Sequence, residues 1–133
     1  LIESFTINTA RRNQLIDISE KIQKIIDASG VSDGIAHIFV PHTTAAVTIN
    51  ENADPTVQSD MLGFLTKLIP ENSGFRHSEG NSDAHIKSSL VGAHVAIFIE
   101  GGRLVFGTWQ GIYFCEFDGP RSRRVLVKIV ADK

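Results

Sequence analysis

The stretch His94–Val130, HVAIFIEGGRLVFGTWQGIYFCEFDGPRSRRVLVKIV, decides the fold. Apolar runs of strand length, "HVAIFIE", "RLVFG", "IYFCEF" and "RRVLVKIV", are separated by Gly101–Gly102 and Asp118–Gly119, dipeptides suited to tight hairpin turns. Strands joined so closely pair antiparallel. Upstream, "ESFTINTA" alternates and reads as a first strand, "IAHIFVP" as a buried strand, and "AAVTINE" as a strand with Val47, Ile49 and Glu51 on one face. Helices are interspersed. Leu15, Ile18, Ile22, Ile25 and Ile26 share one helical face, with Asp17 and Glu20 as a capping box and Gly30 as the stop. Asp54 and Pro55 open a second helix with the apolar stripe Val57, Met61, Phe64, Leu65, Leu68 and Ile69; Pro70 ends it. "DAHIKSSLVG" predicts a short third helix capped by Asp83 and stopped by Gly92. The expectation is a single α+β domain over residues 1–133, with antiparallel or mixed strands, two longer helices and one short one, and the helices on one face.

The chain has 133 residues, enough for one core, and 42% hydrophobic with 21% charged residues mark it as globular. A formal net charge of −2 gives no bulk positive field for nucleic acid or an anionic membrane. One cysteine, Cys115, allows no internal disulfide and suits a reducing compartment. The opening "LIESFTINTARRNQL" lacks the apolar core of a secretory signal, and no apolar run approaches the roughly 20 residues that span a bilayer. These features predict a cytoplasmic protein.

The stretch "RHSEGNSDAH", Arg76–His85, contains no aliphatic side chain larger than alanine and cannot build a core. It reads as a solvated loop, a metal site or an anion site. His77 and His85 flank Gly80, and His42 in "VPHTTAAV" is a third imidazole within reach after folding. A helix beginning near Asp83 would offer free N–H groups to a phosphate, with Ser88 and Ser89 nearby. A shared ligand requires the segment to fold back, since an extended chain would hold His77 and His85 about 26–29 Å apart. His37 and His94 lie in strand patterns and read as hydrogen-bonded structural residues. Glu51 either marks where its face opens to solvent or is a carboxylate aimed into a cleft. Trp109, between Gly107 and Gly111, either covers a core edge or meets a ligand or another subunit. Arg121, Arg123 and Arg124 form either a solvated basic turn or a phosphate clamp.

Taken in order, "PHTTAAVTINENADP", "HSEGNSDAHIKSSLVG", "GTWQGI" and "EFDGPRSRRV" resemble the YjbQ-like family over about residues 3–131. Thiamine-phosphate synthase activity is ascribed to some of its members. His94 departs from the family pattern, which has a small serine ahead of "VAIFIEGG". The resemblance implies a β-sandwich-like core, a homotrimer, and a polar pocket at the subunit boundary holding a metal or anion. It implies His42, His77 and His85 as metal ligands; Glu51, Asp83 and His85 as catalytic groups; and Thr43, Thr44, Asn81, Ser89, Trp109, Gln110, Arg121 and Arg123 as phosphate- or substrate-binding groups. The implied reaction joins a pyrimidine pyrophosphate to a thiazole phosphate and releases pyrophosphate. Three histidines suit zinc, whereas Mg²⁺ prefers carboxylates and water. Alternatives are a non-catalytic metal- and anion-binding trimer and a metal-dependent hydrolase of a phosphorylated metabolite.

Overall fold

The computed structural model describes residues 1–133. Its elements run β1 (Glu3–Asn8), β2 (Gln14–Asp17), α1 (Ser19–Ser29), β3 (Gly34–Phe39), β4 (Ala45–Glu51), α2 (Pro55–Leu68), α3 (Ser82–Val91), β5 (His94–Glu100), β6 (Arg103–Leu104), β7 (Gln110–Glu116) and β8 (Ser122–Ala131). All strand pairs are antiparallel. One sheet has five strands in the order β1-β8-β3-β5-β6, and the other has three in the order β2-β7-β4. The α+β expectation is met, with no parallel pairing.

The two sheets close on one core. Ile7, Ala36, Ile38, Ile97, Ile99, Val125 and Val127 from the first meet Ala45, Val47, Ile112 and Phe114 from the second. Ile22 and Ile26 of α1 join this cluster. The opposite face of the three-stranded sheet presents Ala46 and Cys115 to Ala84 of α3, with Leu62 and Leu65 of α2 alongside. The helices therefore do not share one face: α2 and α3 cover the three-stranded sheet, while α1 contributes to the core between sheets. Burial of Cys115 pushes its thiol up to about 12, so it serves as a small apolar core residue.

Several local expectations shift. Leu15 belongs to β2, opposite Cys115, and the helix begins four residues later. A strand there pairs with β7, whose edge a longer helix would leave without a partner. Asp17 accepts the Ser19 N–H at 2.9 Å, but no capping box forms. Gly30 does end α1, at φ 71°, a left-handed conformation that side chains disfavour. Asp54 caps α2 through the Thr56 N–H at 2.9 Å, with Pro55 in the first turn as expected. The α2 stripe is only partly used: Leu65 packs inward, while Phe64 remains 67% and Leu68 59% exposed. β3 buries Ala36 and Ile38 but leaves Phe39 exposed, so only one of its faces is core. "RLVFG" is a strand only over Arg103–Leu104. No helix is long and apolar enough to cross a membrane.

Gly34 shows how tightly the five-stranded sheet is built. A Cβ there would stand 2.2 Å from the Val130 carbonyl oxygen on the neighbouring strand, so only glycine fits at this position.

Candidate functional site

Four segments distant in sequence converge on one polar cavity of about 490 Å³. The β3–β4 loop brings Pro41, His42, Thr43 and Thr44, and the loop before α3 brings His77 and Glu79. The start of α3 adds Asn81 and His85, and the β7–β8 connection with β8 adds Asp118, Arg121 and Arg123. No lining residue is hydrophobic. A neighbouring cavity of about 470 Å³ shares His42, Thr43 and His85 and extends past Ser88 and Ser89 to Ala93.

The basic wall is fixed from behind. Glu116 is fully buried and accepts from Thr9 Oγ1 at 2.7 Å, Arg123 Nε at 2.9 Å, the Asp118 N–H at 3.0 Å, and Arg123 Nη2. Burial alone would raise its carboxyl, but the bonds from Arg123, Asp118 and Thr9 outweigh that and hold it below the usual carboxylate range. Arg123 is 4% exposed, and its Nη2 also reaches Thr44 Oγ1 at 2.9 Å and the Thr44 carbonyl at 3.2 Å. Its Nη1 makes no bond within the chain, leaving a donor at a pocket residue that cannot swing away. Thr44 thus holds the arginine, while exposed Thr43 lines the cavity.

The start of α3 is held open. Asn81, not Asp83, stands at its N-cap, and its side chain makes no capping bond. Instead Asn81 Nδ2 donates to Asp118 Oδ2 at 2.8 Å, and Arg121 Nη2 donates to the same oxygen at 2.9 Å. Burial would raise Asp118, but the Asn81 and Arg121 bonds prevail and lower it. Asp83 is the second residue of α3, in its first turn, and is buried behind the wall. Its Oδ1 accepts from Arg12 Nη2 at 3.0 Å, and its Oδ2 lies 3.4 Å from Lys87 Nζ. The carboxylate expected to cap α3 instead anchors the helix to β1's exit loop, because half-buried Arg12 and buried Lys87 claim its two oxygens. Both α1 and α2 have an aspartate bonded to a first-turn N–H, whereas α3 does not.

Of the three expected histidines, two touch and the third shares their cavity. The His77 and His85 rings stand edge to face with centroids 5.5 Å apart, and His42 lines the same cavity. The segment Arg76–Gly80 is exposed, but Asn81, Asp83 and Ala84 are buried, so "RHSEGNSDAH" is exposed loop in its first half and helix start in its second, and each half sends side chains to the cavity. His42 Nε2 accepts the Arg124 N–H at 2.9 Å. A neutral His42 therefore carries its proton on Nδ1. Burial, with the Arg123 charge second, lowers its pKa. His42, with Nε2 bonded to the Arg124 N–H and its proton on Nδ1 when neutral, presents no free lone pair to the other two rings in this arrangement. No group of three or more side chains is placed to hold a metal ion.

A pH prediction follows from His42. Its lowered folded pKa means the unfolded chain binds the proton more readily. Its stabilising contribution is present above the unfolded value of about 6.5 and is lost as pH falls through the folded pKa. In urea titrations between neutral and mildly acid pH, the wild type should lose more stability than His42→Gln, which retains an acceptor for Arg124. Parallel curves would show that His42 is not the linked group.

Other expected residues are not brought to this pocket. Glu51, Trp109 and Gln110 lie at the far end of the seven-residue β4 and its partner β7, about 20 Å from Ala45 at roughly 3.4 Å per residue. Trp109 is 61% exposed. Ser89 borders the neighbouring cavity and bonds the His85 carbonyl at 3.0 Å. Sequence reading missed Arg12, Lys87, Thr9 and Glu116. Only Glu116 carries a signal, as a carboxylate inside the apolar run "IYFCEF" with arginines soon after.

The family model for UPF0047 protein YjbQ-like matches residues 3–132. The chain belongs to the YjbQ/UPF0047 family. A YjbQ/UPF0047 relative, protein MJ1081 of Methanocaldococcus jannaschii, is 56% identical over the whole chain and 96% of its own length. YugU of Bacillus subtilis is 48% identical over 98% of the chain and 99% of its own length. A YjbQ/UPF0047 crystal structure from Clostridium acetobutylicum superposes with TM-score 0.95 at 55% identity, covering 96% of this chain and 99% of that one. A YbjQ-like protein of unknown function from Sulfolobus solfataricus superposes with TM-score 0.94 at 32% identity, covering 99% and 97%.

Proposed function

We propose that the pocket binds the phosphate end of a small phosphorylated metabolite and that the chain is an enzyme acting on it. The supporting observation is the meeting of three donor types on one wall without apolar lining: the free Nη1 of Arg123, the uncapped start of α3, and the His77–His85 pair. The reaction that suits these parts is the thiamine-phosphate synthase type, in which a pyrimidine pyrophosphate and a thiazole phosphate condense and pyrophosphate leaves. Arg123 and Arg121 hold the departing phosphates, and His85 supplies a proton to them. Asp83 positions α3. A divalent transition ion on His77 and His85, with zinc the ion their imidazoles suit, would add charge neutralisation for the leaving group.

A protomer's pocket offers nothing apolar for an aromatic ring, while Trp109, Gln110 and Glu51 wait at the opposite end of the molecule. A closed head-to-tail ring of three copies would bring one copy's Trp109 end to the next copy's pocket and cover apolar surface such as Phe64 and Leu68. A cytoplasmic location fits phosphorylated metabolites.

Calorimetric titration with pyrophosphate should show binding that Arg123→Lys weakens, and turnover should appear when both phosphorylated substrates are supplied with Zn²⁺ or Mg²⁺. Pyrophosphate binding without turnover would favour the non-catalytic anion-binding reading. Absence of binding would overturn both.

A further inference from the structure

Resting on the phosphate-binding reading of the main pocket, we infer that the neighbouring cavity is a second lobe of the same site. This lobe takes the hydroxyl-bearing carbon skeleton of a phosphate ester, and Ser88 is the residue that reads the hydroxyl. His42, Thr43 and His85 border both cavities, so one ligand can occupy the main pocket with its phosphate and the space of about 470 Å³ beside it with its skeleton. Ser88 lies in α3 and is 8% exposed, and its Oγ has no hydrogen-bond partner. A hydroxyl inside a helix commonly satisfies itself on the carbonyl one turn back. Thr66 Oγ1 does so on Leu62 at 2.8 Å, and the adjacent Ser89 Oγ on His85 at 3.0 Å. Ser88 does not. Burying a hydroxyl without a partner costs folding free energy, which a ligand group that pairs with it would return.

Ser88 borders the second cavity and not the main pocket, so the orphaned hydroxyl belongs to the lobe rather than to the phosphate-binding groups. Its Oγ is screened from bulk water in the free chain, and a rotation about the Cα–Cβ bond between staggered positions accompanies binding. The lining of the lobe selects the group it takes. It carries no carboxylate, lysine or arginine, so a charged substituent would find no counter-ion there. Its hydrophobic residues are Ala45 and Ala93, too small to grip a bulky apolar group. Thr43, Ser88 and Ser89 supply three hydroxyls. Ser89 Oγ is spent as a donor on the His85 carbonyl and still accepts, while neutral His42 offers Nδ1–H at the border of the two cavities. A ligand hydroxyl, which both donates and accepts, matches this mixture. A methylene in its place leaves Ser88 unpaired.

The experiment titrates the full chain with inorganic phosphate, glycerol 3-phosphate and propyl phosphate, the last matching the glycerol ester in length without its hydroxyls. Calorimetry should show the wild type binding glycerol 3-phosphate about 5–10-fold tighter than propyl phosphate, the effect of one net hydrogen bond. Ser88→Ala should bind the two esters equally and inorganic phosphate as the wild type does. Ala93→Leu, which adds bulk to the lobe, should weaken both esters and spare inorganic phosphate. Far-UV circular dichroism and thermal unfolding check that each variant is folded. Phosphate binding with no preference between the esters, or a preference that survives in the folded Ser88→Ala chain, would overturn the inference and leave the phosphate-binding reading in place. Absence of binding by all three ligands would remove that reading and the lobe with it.

Discussion

Replacing Glu116 by alanine is expected to cost about 3–5 kcal/mol of folding stability, the range for breaking a buried ion pair by removing one partner. The cost arises mainly from what is left behind. Arg123 is 4% exposed, and without Glu116 it retains only Thr44 as a partner for a buried guanidinium. Thr9 Oγ1 and the Asp118 N–H lose an acceptor as well. Equilibrium urea unfolding should show a lower midpoint with an unchanged slope, the signature of a stability change without a change in cooperativity. The paired variant Glu116→Leu/Arg123→Met removes both charges and should recover most of the loss, because no charge remains unpaired in the interior. The same paired variant should fail to bind pyrophosphate, which would separate the scaffold role of the pair from the ligand role of Arg123. Equal destabilisation of the single and paired variants would mean that packing, not charge pairing, sets the cost.

Replacing His85 by alanine is expected to lower turnover by about 10²–10⁴-fold, the usual contribution of a positioned general acid or base. Its ring nitrogens make no hydrogen bond within the chain, and its backbone N–H already bonds the Asn81 carbonyl, so the helix start does not depend on the side chain. Thermal unfolding of the variant should therefore stay close to wild type while the rate constant collapses. His77→Ala provides the contrast: exposed on its loop and 3.8 Å from the Glu79 carboxylate, it should affect ligand affinity more than rate. Wild-type turnover in His85→Ala would remove this residue from the chemistry.

The sequence by itself determined those elements whose signals are local. The Gly101–Gly102 turn, Asp54 and Pro55 at the start of α2, and the Gly30 stop after α1 rest on backbone conformation and nearby hydrogen bonds, which a few residues specify. The motif pattern also determined family membership, and it placed His42, His77, His85, Asn81, Arg121 and Arg123 together before any coordinates. Only the tertiary structure decided what each of them faces. Asp83 looked like a helix cap, but Arg12 and Lys87, 71 residues earlier and four later, claim its two oxygens. Leu15 fitted a helical stripe, but β7 offered it a strand partner. His42 had the composition of a metal ligand, but the Arg124 N–H, 82 residues away in sequence, occupies its Nε2. Glu51 and Trp109 belong to the same motif set as the pocket histidines, yet the length of the β4–β7 ladder sets them about 20 Å from it. Apart from Lys87, the deciding contacts are remote in the chain, and they depend on sheet register and on the packing of the two sheets, which no local residue pattern encodes.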